Sequence, residues 1–451
     1  MAFDRIKGFL KGLANKGGER MENTDKLQTA ASATMQTAIA SWWEIFSGDM
    51  QKKPSHENMR PIRLAATSTA YLAQLACSEL KFELPDEALN GFVKRNLLPD
   101  LDLITQQTLV GGYTVIKPYI TTSGQIYFDV GTSRDFKPIS FDENGHITEG
   151  EFRQRIAYNG KVYERREYHC FDGSRHYVRN TAWLYGTKHR IELSDIPRWA
   201  IYLPEGYIPS DIPMIATFRT PYANNIDLDS ELPISMYANA VQQLHDIDEA
   251  HSEYRAEFRK MSAKVFGDNG IFDKTGKITD DYFIKVEGDG IKTLDQQIMS
   301  YAPTIREEAL RQGLNSELRL YEMLVGISGG TFTFDSQKGL VTATQVLSDD
   351  QTTYQTTKQI QKQLHSALES VARITVNLAK FYGMEVTEGD PVIELGDSVF
   401  EDTGTEYNRR FQMVQAGMLR PELFNAWYFG LSEEKAREML PPMSQAFGGD
   451  E

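Results

Sequence analysis

The hydrophobic positions of this chain change period several times, and each change marks a part of the fold. Residues 60–83 repeat at helical spacing, with Leu64, Tyr71 and Leu75 on one face, and the pattern stops before Pro85. A second helical stretch starts at Leu101 and ends at Gly111 and Gly112. The period then drops to two. Segments 113–120, 125–130, 136–141, 147–158, 161–170 and 176–185 read as short strands. Between them stand Asn144-Gly145, Asn159-Gly160 and Asp172-Gly173, dipeptides that accept the positive φ of tight hairpins. The pattern predicts an antiparallel meander joined to N-terminal helices, an α+β fold.

A stretch with Pro197, Pro204, Pro209, Pro213 and Pro221 leads into Ile234, Tyr237, Val241, Leu244, Ile247, His251, Tyr254, Phe258 and Met261. Their steps of three and four predict a helix about 45 Å long. Residues 264–300 break into β-prone runs around Asn269-Gly270, Thr275-Gly276 and Gly288-Asp-Gly290, so a small β module sits between that helix and the next, which runs from Thr304 to Leu324. A Gly-rich loop at 328–339 follows. Beyond it Ile360, Leu364, Leu368, Val371, Thr375, Leu378 and Tyr382 form the apolar stripe of a helix predicted over 342–382, about 60 Å if unbroken. A helix so long suggests a coiled coil or one spoke of a larger assembly. The tail gives an extended run at Val392 and short helices over 405–415, 420–429 and 432–440; Ser432 is a simple N-cap, with Lys435 rather than an acid three residues on.

Composition narrows the class. The chain has 451 residues, 41% hydrophobic and 25% charged, enough for about three domains, and no apolar run long enough to span a bilayer. Near Met1, Lys7 and Lys11 interrupt the apolar positions, which excludes a secretory signal; the basic amphipathic stretch is expected to dock on its own protein or stay mobile, in preference to touching a membrane surface. Cys77 and Cys170 have neither metal spacing nor a disulfide framework. A net charge of −15 argues against tight phosphate binding, which needs clustered Lys and Arg. It leaves room for a protein that DNA merely passes through.

Candidate catalytic sets fail one by one. Gly326-Ile-Ser328-Gly-Gly330 fits the G-x-S-x-G pattern, but a helix precedes the serine where the nucleophile elbow needs a strand. Gly270 to Lys277 has one residue too many for a phosphate loop and Ile278 where Ser or Thr should stand. His245 and His251 lie about 240° apart on one helix and cannot share a metal. Asp248 and His251 read as a surface pair, and Asp227, Asp229, Asp349 and Asp350 as solvated carboxylates. No enzyme, metal or cofactor is expected.

Several segments in order resemble the portal proteins of tailed bacteriophages, of the siphophage type that infects Gram-positive bacteria. The most specific is Gly329-Gly-Thr-Phe-Thr-Phe-Asp, followed by Gly339 and Thr342-Ala-Thr-Gln-Val346, where Val341 and Gln345 replace the family's usual Lys and Glu. Gly111-Gly112 with Lys117, Asp135-Phe136 with Pro138, Asp142 and Gly145, Ala302 to Arg306, Gly396-Asp397-Ser398, Ala416-Gly417-Met418 and Trp427 to Gly430 with Glu433-Glu434 add to it.

The resemblance implies a dodecameric ring at a capsid vertex, found in the virion and assembled in the host cytoplasm. It implies a channel for double-stranded DNA without sequence specificity, with no membrane role. It implies docking to the terminase large subunit, the major capsid protein and scaffold, and a head completion or adaptor protein. It assigns residues 1–231 to a wing, 232–262 and 304–327 to stem helices, 263–303 to a clip, 328–341 to a tunnel loop, 342–384 to a long wing helix and 385–451 to a crown. Ser328, Gly329, Gly330, Thr331, Lys338 and Gly339 would then face the DNA. Arg306, Arg311 and Arg319 would face the lumen or a neighbouring stem, and Lys274, Lys277 and Lys285 would lie on the clip's partner surface. The main rival is a minor capsid or head protein that binds partners without conducting DNA.

Overall fold

Helix α1 (Ala33–Ser47) begins at Ser32, whose Oγ accepts the Met35 N–H at 3.1 Å, and it buries Met35, Ile39, Trp42 and Ile45 on one stripe. The computed structural model describes residues 29–48, 60–121, 123–143, 145–260, 264–268, 283–286, 298–301, 306–334, 351–396, 403–429 and 431–440. The chain divides into two units, Met1–Ser336 with Gln355–Leu395, and Gln337–Tyr354 with Gly396–Glu451.

In the first unit α2 (Leu64–Cys77) is shorter than the periodicity of 60–83 predicts. Ser78 leaves the helical region with a ψ of 138°, Glu79 follows with a left-handed φ of 57°, and β1 (Lys81–Glu83) pairs antiparallel with residues 392–394. Helices α3 (Glu87–Asn96) and α4 (Leu101–Gly111) complete the N-terminal layer.

The predicted meander is in fact two sheets. Strands β2 (Tyr113–Ile120) and β3 (Ile126–Thr132) form one hairpin. A separate sheet runs β4 (Phe136–Phe141), β5 (Ile147–Tyr158), β6 (Lys161–Phe171), β7 (Arg175–Leu184), with β8 (Arg190–Ile191) and β9 (Glu205–Pro209) both pairing with β7. Strand β10 (Ala216–Arg219) then takes the other edge of β2. The break falls in the turn where the Asp135 N–H donates to Thr132 O at 2.9 Å. There the sheets come so close that a Cβ on Gly131 would lie 2.7 Å from the Phe152 ring. Alternation along a strand records its two faces but not its neighbours, so the sequence pattern could not show this split.

Residues 232–237, expected as helix, are buried coil. The Met236 N–H and Ser235 hydroxyl donate to Leu109 O, the Thr220 hydroxyl donates to Ile234 O, and Pro233 has no N–H to give. Helix α5 (Val241–Lys260) therefore starts late. Strands β11 (Lys264–Asp268), β12 (Phe283–Val286) and β13 (Ile298–Tyr301) form a three-stranded sheet with β11 central, parallel to β12 and antiparallel to β13. Helix α6 (Glu307–Val325) returns along α5: Gln243 meets Glu317 while Glu257 meets Arg306, so the two run antiparallel. Helix α7 (Gln351–Phe381) buries Ile360, Leu364, Leu368, Val371, Thr375 and Leu378, as its stripe requires. Residues 342–350 of the predicted helix lie outside the described residues. Strand β14 (Val392–Glu394) pairs with β1. In the second unit, α8 (Thr403–Gln415), α9 (Pro421–Phe429) and α10 (Glu433–Glu438) are three short helices, and Tyr407 of α8 packs on Phe424 and Tyr428 of α9.

A buried charged chain joins the sheet of β2 to the sheet of β6. Lys117 on β2 donates to Glu167 on β6 and lies 3.4 Å from Asp129. Arg165 Nη1 donates to Glu167 at 2.7 Å and to Asn180 Oδ1 at 2.8 Å. The Met214 N–H donates to His176 Nδ1, so His176 carries its proton on Nε2 and gives it to His169 Nδ1 at 2.8 Å; His169 Nε2–H then donates to Glu167 at 3.0 Å. Burial would raise the Glu167 carboxyl, but Lys117, His169 and Arg165 hold it well below the usual range. Burial lowers His169 in spite of Glu167, and burial with His169 and Lys117 nearby lowers His176 further.

Because both folded-state histidine pKa values lie below the ordinary 6.5, the unfolded chain takes up these protons first. Their contribution to stability is complete above pH 6.5 and drains away as pH falls below it. The melting temperature is expected to hold steady from about pH 8 to 6.5 and drop towards about pH 5. The drop should be shallower in His176→Gln, whose amide can still bridge Met214 and His169. An identical pH profile for that variant would refute the role of the pair.

Candidate functional site

The loop after α6 is built by the helix that precedes it. Leu314, Leu318, Tyr321 and Val325 form the buried stripe of α6, and Asn315 and Glu322 share that face, both buried. Gly326 ends the helix with a left-handed φ of 73°, and the Ile327 N–H reaches back to Glu322 O at 2.8 Å, which closes the last turn. A side chain at Gly326 is excluded twice, by its φ and because a Cβ would lie 2.5 Å from Thr356 Oγ1 on α7. That hydroxyl donates to Gly326 O at 2.7 Å, so the helices on either side of the loop are joined at its base.

The Glu322 side chain, 0% exposed, accepts the N–H of Gly330 at 2.6 Å and that of Phe332. Asn315 Oδ1 accepts the Phe334 N–H at 3.0 Å, and the Thr331 hydroxyl donates to Ser328 O at 2.7 Å. Phe332 meets the Tyr71 ring of α2 edge-on at 6.0 Å, and the Tyr321 hydroxyl lies 2.6 Å from Ser68 Oγ, also on α2. Residues 328–334 are thus held by α6 from below and by α2 from the side. Ser328 is buried at the base, only 4% exposed, and the exposed part of the loop begins at Gly329 with Thr331 and Phe334. Lys338 and Gly339 lie outside the described residues.

The remaining expected positions scatter. Arg306 grips Glu257 of α5 through Nε and Nη2 at 3.0 and 3.1 Å, so its guanidinium is engaged within the chain. Arg311 lies 3.6 Å from Glu307 one turn back, and Arg319 is exposed. Lys285 falls on β12, and its side chain, like Lys274 and Lys277 altogether, lies outside the described residues. Asp248 is not the surface partner of His251 that its spacing suggested. It is half-buried and accepts the Ile62 N–H at 2.9 Å, and burial raises its pKa against that bond and the nearby His251. Its work is to hold the chain that enters α2. Among the described residues no three His, Cys, Asp or Glu side chains are placed to share a metal, and no helix is long and apolar enough to cross a membrane.

Asn315, Glu322 and Thr356 escaped the sequence reading. The signal for the first two was present: Asn315, Leu318 and Glu322 follow the helical repeat of the buried stripe, and a carboxylate on such a stripe must have donors waiting.

An α+β chain with an antiparallel helix pair that ends in an anchored Gly-rich loop is the class of protein these elements define. A family model described as phage portal protein, SPP1 Gp6-like, matches residues 181–441, and the chain belongs to that family. None of the curated protein sequences matches it. A chain from a structure titled as the virion of the native gene transfer agent particle is similar at 11% identity and a TM-score of 0.44, over 87% of this chain and 93% of that one. A chain from the neck of the same kind of particle, computed with C12 symmetry, gives 12% identity and a TM-score of 0.43 over 90% and 94%.

Replacing Glu322 with Ala leaves two buried N–H donors unpaired and is expected to cost about 3 kcal/mol, while Glu322→Gln, which keeps an acceptor, should cost about half. Hydrogen exchange at the Gly330 and Phe332 amides gives the direct reading. Unchanged protection of both amides in Glu322→Ala would show that the loop is held by something else.

Proposed function

We propose that this chain is the subunit of a dodecameric portal ring at one vertex of a phage capsid. The ring is the conduit for double-stranded DNA during packaging and ejection. The observation that carries the reading is the family match over 181–441, joined to a loop that is anchored at its base by Glu322 and Asn315 while Gly329, Thr331 and Phe334 stay exposed. In this reading α5 and α6 are the stem, the β11 to β13 sheet is the clip, the loop from Ser328 is the tunnel loop, α7 is the long wing helix, and α8 to α10 form the crown.

Two further features support a ring. The outer face of α6 exposes Leu320, Met323 and Leu324, with Met323 67% exposed, an apolar strip that a neighbouring stem would cover. The subunit's net charge of −15 also suits a channel, because duplex DNA carries a phosphate about every 1.7 Å and many cationic contacts would arrest it. The chain itself hydrolyses nothing; a separate terminase ATPase drives the DNA. The clip docks that motor and later the head completion protein, and the wing faces the capsid protein and scaffold.

Light scattering and negative-stain imaging of the purified protein are expected to show a ring near twelve subunits with an axial hole wide enough for duplex. A closed dimer or tetramer without a hole would overturn the conduit and favour a partner-binding head protein. Within the ring, Lys338→Glu is expected to leave assembly intact and reduce packaged DNA by about threefold or more, since Lys338 supplies the one cation of the loop. Loss of rings in that variant would make the loop structural first.

A further inference from the structure

We propose that the cavity between α1 and the β3 to β5 region is a docking site for an acidic peptide segment of a partner protein, with an apolar residue of that peptide seated on the cavity floor. The cavity measures about 600 Å³, the size of a site for a few side chains. Its floor is apolar and buried: Ile39, Tyr113 and Phe136. Its rim is cationic, with Arg134, Lys137 and Arg153 against the single acid Glu44.

Among the described residues, one charge of the rim, Arg134, has no carboxylate opposite it. Arg153 is paired with Glu151 at 2.9 Å. Arg134 is exposed, stacks over the Trp43 ring at 5.5 Å, and has no carboxylate partner among the described residues. Burial lowers the Lys137 ammonium against the pull of Glu151, and Arg153 and Arg166 push the same way. In a chain whose net charge is −15, this is a local positive site above an apolar floor, which selects an acidic segment with an apolar anchor over either feature alone. A nucleic acid is disfavoured, because its backbone would meet Glu44 and leave the floor unfilled.

The probe is a blocked, fluorescein-labelled hexapeptide of four acidic residues around one leucine and one phenylalanine, titrated by anisotropy into the full-length protein in its assembled form. Saturable binding that weakens with salt is expected, with a change in indole emission that disappears in Trp43→Phe. Arg134→Glu should weaken binding about tenfold or more, and so should Ala40→Trp, which obstructs the mouth without touching a charge. Lys188→Glu, an exposed charge reversal away from the cavity, should bind like the parent, and a peptide with lysines in place of the acids should not bind. Equal binding by the parent and Arg134→Glu, each with the same melting temperature, overturns the proposal. Competition by free glutamate or inorganic phosphate at the peptide's own concentration overturns the peptide assignment and leaves a simple anion site. Binding to dissociated subunits but not to the assembly assigns the cavity to a contact between copies of the chain and also overturns it.

Discussion

A carboxylate with no solvent exposure is the constraint around which the candidate site is arranged. Taking the Glu322 charge out of water costs several kcal/mol unless donors replace the lost hydration. The donors within reach are backbone N–H groups two residues apart in the following loop, at Gly330 and Phe332. For the loop to bring them back over the helix end, the chain must reverse within a few residues. That reversal needs the left-handed conformation at Gly326, and the tight space beside Thr356 admits no side chain there. One buried acid thus dictates the glycine, the path of the loop and the seating of α7 against α6.

The same logic works at the other end of the helix pair and between the sheets, with different consequences. Arg306 is exposed enough that water competes for it, although Glu257 is largely covered, so their bidentate pair fixes geometry more than it stabilises. Lys117, Glu167 and Arg165 are buried, and there the penalty for a missing partner is large. The protein answers with a chain of hydrogen bonds that ends at the Met214 N–H, and the two neutral histidines extend the chain without adding charge. Lys117, which stands in a segment that first suggested the family, proves to be a bolt between two sheets.

What the sequence made legible follows from range. The stripe of α7 was plain because its apolar residues repeat over many turns, and the hairpin at Asn159-Gly160 was plain because both residues take positive φ, 48° and 72°, between paired Tyr158 and Lys161. The division of the meander was hidden because β10, far along the chain, claims the edge of β2. Residues 232–237 were hidden for a related reason: their apolar spacing is helical, but Leu109 and Thr220 bind their polar groups in an extended path. In the site, the loop announced itself by its glycines, whereas its anchors lay about one and three turns back on a helix whose burial only the fold defines.

The charge pattern of the helix pair links this architecture to its proposed role. At the end near β11 to β13, the cation Arg306 is neutralised within the chain by Glu257, and Arg311 faces Glu307 on its own helix. At the loop end the exposed face carries the apolar Leu320, Met323, Leu324 and Phe334, with the exposed Arg319 beside them. Neighbouring stems in a ring would therefore adhere through dispersion and dehydration at the loop end, a contact without strong directional preference. In the proposed ring such a contact would let adjacent loops shift against one another by small amounts while Glu322 keeps each loop's base fixed. A conduit for a helical polymer inside a ring of different symmetry needs both properties at the same place. In the proposed ring, anchoring by a buried acid and adhesion by exposed apolar residues would supply them from two faces of one helix.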